Sequence, residues 1–404
     1  MSVEYQYITT ADDRDAAIEA LSHADRIGVD IEGDSLYHYN ERVTLIQISG
    51  GGKNYIFDPL LLDSVMGLGP LFSNRLILKI FHGSDYDITS LKRDFGFTIG
   101  PVFDTALAAR AIGMTRWSLK ELVFRFFDIT LAKIHQKSNW SLRPLSQGQL
   151  DYACEDTLYL ASLHDLLTKE VIKKGREDQI AEECILLEDL AWSRKPFESS
   201  DYIRMTGASV LSSDAQKILR ELVVAREKLS SEEDLPPFKV AHNSDLIRLA
   251  VHAPQNEEAF TQLFGKRRIM REIPRWLCAI QKGIVSEEPL PQREKKRNPP
   301  MTISQQKLFA RLRIWRDQQA KLEAVEPAMI VTTPLLKVIA KKRPVTLADI
   351  ALVPMLRQWQ ISHYGTKLTH EVSKAPGFFP HPRSVPPLEI QTELPDESES
   401  QADD

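Results

Sequence analysis

Apolar and polar positions follow two rhythms along this chain, and the rhythm changes near residue 170. Before that point, short β-branched runs alternate with stretches of helical spacing. Ala16, Ile18 and Leu21 predict a helix within 9–25, and the runs 27–32, 43–49 and 54–58 read as strands. Gly50-Gly51-Gly52 separates the last two, so the three predict an antiparallel meander. Helical spacing over 60–73 leads to a fourth apolar run, 76–81, which ends in His82-Gly83-Ser84-Asp85-Tyr86-Asp87. Ile88, Leu91 and Phe95 then recur as on a helix, Val102-Phe103-Asp104 follows, and the rest is mostly helical. This is the pattern of a mixed α/β domain, meander first and helices after.

Ser146 is a predicted N-cap with Gln149 at the capping-box position, and the helix it opens carries Tyr152 and Asp156 one turn apart on one face. Beyond 170 the strands stop. Residues 177–195 read as a connecting helix, and two segments of similar layout follow, 207–284 and 301–374. Each opens with a long helix bearing a Leu and Arg stripe: Leu219, Leu222 and Arg226 in one, Leu308, Leu312, Arg313 and Arg316 in the other. Each then breaks at proline, Pro236-Pro237 or Pro327, into short helices, which makes a weak internal repeat. The expected divisions are therefore an α/β domain at 1–170, a helical linker at 171–206, two all-α domains at 207–284 and 301–374, a basic Pro-rich linker at 285–300 between them, and a disordered tail at 375–404.

At 404 residues, two or three domains are expected, and 43% hydrophobic with 26% charged residues is the balance of a globular protein in water. The start of the chain has no apolar leader and no run is long enough to span a bilayer, so no membrane partner and a cytoplasmic location are expected. Cys154, Cys184 and Cys278 are far apart and form no metal-binding or disulfide pattern. The net charge of −5 argues weakly against a polyanionic partner, because seven acids crowd the stretch after Pro386 and the rest of the chain is mildly basic.

The run Arg26-Ile27-Gly28-Val29-Asp30-Ile31-Glu32 carries two acids two positions apart, hence on one face of a strand. Such a pair repels itself, and a divalent cation held by oxygen ligands would neutralise it. Taken alone, the same pair also fits a strand that ends in solvent, and the other acids have to decide.

They do so as a set. Val29-Asp30-Ile31-Glu32, Leu45-Ile46-Gln47-Ile48-Ser49, the stretch from Lys79 to Ile88, the block from Ser138 to Ser146 and the helix through Tyr152 and Asp156 together resemble the DEDD exonucleases of the ribonuclease H-like fold, specifically ribonuclease D, over about 20–170. A tyrosine at 152 resembles the tyrosine branch of that superfamily. The two later segments resemble paired HRDC domains by helical layout and by Tyr364-Gly365. The resemblance implies a ribonuclease H-like α/β domain with a mixed sheet, followed by two all-α HRDC-like domains. It implies Asp30, Glu32, Asp87 and Asp156 as ligands of two divalent ions, Mg²⁺ or Mn²⁺, with Tyr152 positioning the attacking water. The implied activity is 3′→5′ exoribonuclease trimming of RNA 3′ ends, tRNA precursors among them, with release of 5′-mononucleotides. A DNA 3′→5′ exonuclease uses the same motifs, and a non-catalytic RNA-binding scaffold would have lost a carboxylate.

Other residues keep two readings. His82 is expected to be a structural hydrogen-bonder and Asp85 to be exposed. Trp140 and Arg143 suit either substrate contact or packing, and Lys133 and Lys137 suit either phosphate contact or a solvated loop. The basic clusters Lys266-Arg267-Arg268 with Arg271 and Arg275, Lys295-Lys296-Arg297 and Lys341-Lys342-Arg343 could track a polyanion. The helical segments could equally dock a protein. The acidic tail is expected to mask the basic modules.

Overall fold

The computed structural model describes residues 4–132, 134–193, 195–264, 268–291 and 299–374. The expected disordered tail, Lys133, Lys266, Arg267 and the cluster 295–297 lie outside the described residues.

The N-terminal region is a six-stranded mixed sheet in the order β1-β4-β3-β2-β5-β6. Its strands are β1 (Gln6–Ile8), β2 (Arg26–Gly33), β3 (Val43–Gly50), β4 (Lys53–Phe57), β5 (Leu78–Phe81) and β6 (Val102–Asp104). The expected meander is present: β2 pairs antiparallel with β3, and β3 with β4. Strand β1 was not expected. Three residues are too short to show a period, and β1 exists because it adds in parallel to the edge of β4. β5 and β6 extend the other side in parallel.

Helices α1 (Ala11–Ser22), α2 (Leu68–Ser73), α3 (Asp85–Phe95), α4 (Thr105–Ala111), α5 (Leu119–Phe127), α6 (Gln147–Leu158), α7 (Leu160–Lys173) and α8 (Glu177–Glu188) cover the sheet. Helical spacing at 60–73 overstated α2, and spacing at 177–195 overstated α8, which stops at Glu188. β3 is buried from Val43 to Ser49 because both its faces are covered, so its sequence reads as a near-continuous apolar run. The capping box at Ser146 and Gln149 forms as the sequence predicts.

Two positions bring α6 onto the sheet. A Cβ on Gly28 of β2 would stand 2.6 Å from Ser49 Oγ, 2.9 Å from the Thr157 carbonyl oxygen and 3.1 Å from Leu160 Cβ. Only a residue without a side chain lets the α6–α7 junction lie this close, and the Ser49 hydroxyl donates to the Thr157 carbonyl at 2.8 Å across the gap. The lead-in to α6 is fixed by Arg143. Its guanidinium donates to both carboxylate oxygens of fully buried Asp58 at 2.5 and 2.8 Å, and to the Thr44 and Trp140 carbonyls. Tyr7 of β1 also donates to Asp58. Trp140 is 1% exposed and packs with Leu45, Ile56, Ala153 and Cys154. Of the two readings open for Trp140 and Arg143, packing is the one observed, because Trp140 is enclosed and the guanidinium N–H groups of Arg143 are taken up by Asp58 and by backbone carbonyls.

The C-terminal region is helical: α9 (Ser213–Glu232), α10 (Pro237–Val240), α11 (Asn243–His252), α12 (Glu257–Phe264), α13 (Ile273–Val285), then α14 (Ile303–Glu323), α15 (Pro327–Ile330), α16 (Thr333–Lys342), α17 (Leu347–Ala351) and α18 (Gln358–Ser373). Two separate hydrophobic cores form, one drawn from 202–280 and one from 308–372. The second set of helices is fastened to α8: Glu182 accepts from the free backbone N–H groups of Gln358 and Trp359 at the start of α18, and Arg176 pairs with Glu323. The first set meets the β2–β3 loop, where Asp234 accepts from His38 Nδ1 and from the Tyr39 backbone, and Lys239 stands 3.8 Å over the Tyr37 ring. Among the described residues, no helix is long and apolar enough to cross a membrane.

Replacing Gly28 with Ala should destabilise the protein by about 1–3 kcal/mol, the usual cost of forcing atoms into a filled core. Thermal melts of the two proteins at equal concentration check this, and an unchanged midpoint would mean that α6 does not depend on Gly28.

Candidate active site

Asp30 and Glu32 leave the same face of β2, two residues apart, and α6 lies across that face. Asp156 thereby meets them: one ligand oxygen from each of Asp30, Glu32 and Asp156 lies within 4.8 Å of the others. Asp87, on the first turn of α3, falls outside that tight group but is buried and feels the charge of Asp156. Tyr152 lies one turn before Asp156 on α6, and its ring is flanked by Trp140 at 6.0 Å and His135 at 6.2 Å. Trp140 therefore serves the site by holding Tyr152.

The electrostatics follow from this crowding. Burial, then Asp87, Asp156 and Glu32, push the Asp30 carboxyl well above its ordinary range. Glu32 is raised by burial and by Asp156 and Asp87. Burial and the neighbouring Asp104 push Asp87 up to about 8. Asp156 rises to about 7 by burial, although the Tyr152 hydroxyl pulls it back down. Tyr152 itself is raised by burial and by the carboxylates around it, so at neutral pH it keeps its proton.

Asp87 owes its place to a residue outside the sequence motifs. Asp104 at the end of β6 is 1% exposed and caps α4 by accepting from Ala106 and Leu107 N–H at 2.8 and 3.0 Å. The same carboxylate accepts from the backbone N–H groups of Gly83 and Ser84 and from the Ser84 hydroxyl. It thus ties the turn that launches α3, and Asp87 with it, to the next strand. Its visible signal was an acid just before a helical run, an N-cap pattern.

His82 behaves as expected of a structural group, with one addition. Thr105 Oγ donates to the Phe81 carbonyl, so its single proton is used and His82 Nδ1 must donate to it at 2.9 Å. Burial lowers the His82 pKa, which leaves a neutral ring with Nε2 as an acceptor. Asp85 faces solvent, as does Lys137.

A cleft of about 360 Å³ opens over the acids. Besides Asp30, Glu32, Tyr152 and Asp156, its walls include His82, Trp117, Lys120 and Gln136. Trp117 and Lys120 carried no signal in the sequence, since an aromatic and a lysine before a helix are ordinary.

The residues fit a hard divalent cation. All four acids offer oxygen alone, and each is driven up in pKa by burial and like charge, which a cation would relieve. Gln47, directly across the ladder from Asp30, is fully buried with neither amide atom partnered, so the site holds polar capacity beyond the acids themselves.

Comparison with known proteins agrees with this geometry. Residues 5–172 match the 3′-5′ exonuclease family, and residues 215–280 and 305–372 each match the HRDC domain. The exosome complex component 10 homolog of Caenorhabditis elegans is 30% identical over 257 residues, covering 62% of this chain and 29% of that protein. Ribonuclease D of Zymomonas mobilis is 32% identical over 254 residues, covering 62% of this chain and 64% of that protein. The matched stretch thus spans less than two thirds of either relative. The crystal structure of Escherichia coli RNase D superposes with a TM-score of 0.65 at 22% identity over 93% of this chain and 100% of that one, a likeness of fold. With the acids gathered on one sheet face, residues 5–172 are a 3′-5′ exonuclease domain and residues 215–280 and 305–372 are HRDC domains, an arrangement similar to that of ribonuclease D.

Proposed function

We propose that this protein is a divalent-metal-dependent 3′→5′ exoribonuclease of the cytoplasm that trims RNA 3′ ends, tRNA precursors among them, and releases 5′-mononucleotides. The observation that carries the reading is the meeting of Asp30, Glu32 and Asp156 at the base of a cleft that Tyr152 also lines. On this reading residues 1–170 form the catalytic unit, and 207–284 and 301–374 are the two helical modules.

Asp30, Glu32 and Asp156, with Asp87 from α3, are the residues that would hold two ions, Mg²⁺ or Mn²⁺. Such a pair, when bound, lowers the pKa of water and offsets charge on the phosphate and the leaving 3′ oxygen. The chain's own contribution is placement. Tyr152 keeps its proton at neutral pH, so it acts as a hydrogen-bonding positioner of the attacking water and cannot serve as its base. Asp104 holds the turn of Asp87 against recoil from its neighbours. Lys120 in the cleft wall supplies positive charge toward a backbone phosphate.

Matched single-stranded RNA and DNA, each 5′-labelled, should separate the enzyme classes: with Mg²⁺ the RNA should shorten from its 3′ end, and EDTA should stop it. Asp30→Asn should lower the rate at least about 100-fold while RNA binding persists. A protein that prefers DNA belongs to repair or proofreading, and binding without cleavage of either points to a scaffold.

Tyr152→Phe should lower kcat by about 100-fold with KM nearly unchanged, because a donor that orients the water acts on the chemical step. A rate within twofold of wild type, or about that, would remove Tyr152 from the mechanism.

The acids also make stability depend on pH. Asp87 is raised in the folded state, to about 8. Its contribution is therefore complete below the unfolded value of about 4 and is lost as pH rises toward its folded value. In EDTA, Asp87→Asn should melt higher than wild type at a pH above that value, and the two should converge in acid. Equal melting temperatures throughout would mean that Asp87 is not under strain.

A further inference from the structure

Trp117 stands on the wall of the cleft, 37% exposed, and the proposed chemistry does not use it. An indole left this open beside a phosphodiester site offers a flat apolar face to a base. Its position depends on a contact from the far end of the chain. The Arg110 guanidinium carbon lies 5.2 Å from the centre of the Trp117 ring, and Arg110 Nη2 lies 3.7 Å from Glu326, which stands just before α15 in the second HRDC module. Arg110 Nε is buried with no hydrogen-bond partner, so the ring and Glu326 are what orient this guanidinium.

The module is seated firmly enough for that contact to matter. Gly113, in the turn after α4, has φ +92°, and a Cβ there would run into the carbonyl oxygen of Ala324, the C-cap of α14. Met329 of α15 packs against the nuclease core cluster that contains Ile80, Phe103, Ala108 and Leu122. Arg176 and Glu182 fasten the same module from the side of α8. The segment between Gly113 and α5, which carries Trp117, is thus braced from outside the nuclease domain.

We propose that the second HRDC module shapes the substrate cleft from outside it: Glu326 fixes Arg110, Arg110 fixes the Trp117 ring, and a base of the bound RNA stacks on that ring. This rests on the exoribonuclease reading and adds to it a positioning role for Arg110 and Glu326, which touch neither the phosphodiester nor the acids. An ion pair of two half-exposed side chains contributes little to stability, so its loss should leave the fold intact and act on the geometry of the ring. Polyanion tracking by surface lysines would not depend on Glu326, an acid.

The test uses the full chain labelled with 5-fluorotryptophan, the Trp117 resonance being assigned by Trp117→Phe. Glu326→Ala should shift that ¹⁹F resonance and raise KM for a single-stranded RNA about three- to fivefold, the scale of an exposed cation–π link, with kcat within about twofold. Glu326→Asp should restore both, and adding an RNA tetranucleotide in EDTA should move the wild-type resonance. If Glu326→Ala leaves the resonance and KM at wild-type values, the proposal is overturned. It is also overturned if the resonance shifts while KM stays, since the ring would then be braced but unused. Failure of the exoribonuclease reading would show separately, as wild-type protein that leaves RNA intact.

Discussion

Like charges forced together on one face of a sheet are the constraint on which the rest of this structure depends. Asp30, Glu32, Asp87 and Asp156 come from three elements, and each is held above its ordinary carboxyl range by burial and by neighbouring acids. Such a cluster survives only if the backbone around it cannot relax. Gly28 allows α6 to sit against β2, Arg143 and Asp58 fix the approach to α6, and Asp104 ties down the turn before α3. Each of these devices uses a buried, fully engaged polar group or a missing side chain, the means by which a fold stores local strain at low cost elsewhere.

The helical modules belong to the same frame. Asp234 of the first module reaches His38 and Tyr39 in the loop that follows Glu32, and His38 Nε2 lies 2.7 Å from Ser141 Oγ in the lead-in to α6. The second module meets Gly113 and Arg110 through Ala324 and Glu326 and fastens to α8 through α18. The β2–β3 loop and the segment that carries Trp117 thus take part of their geometry from outside the nuclease domain, a reason for the modules to be covalently joined to it.

The sheet strands of the meander and the capped α6 were legible in the sequence, because each rests on local rules: alternation and capping chemistry. Strand β1 was not, because three residues carry no period, and neither was the true length of α2 or α8, because helical spacing continues past the point where packing stops rewarding it. Trp140 and Arg143 had two equal readings from sequence. Tertiary contacts decided between them, since the indole is 1% exposed and the guanidinium is bonded to Asp58 and to backbone carbonyls.

By itself the sequence determined which oxygen-bearing side chains share a face: two acids on one strand, and a phenol and an acid on one helix. Tertiary structure alone decided which of them meet and what surrounds them. It brought Asp156 against Asp30 across 126 positions of chain, left Asp87 just outside the tightest group, and set Trp117 between the acids and a distant glutamate. The reason is physical. Propensity and period act over a few residues, whereas the energy of a crowded charge depends on the distance to every other charge and to water, and those distances exist only once the chain has packed.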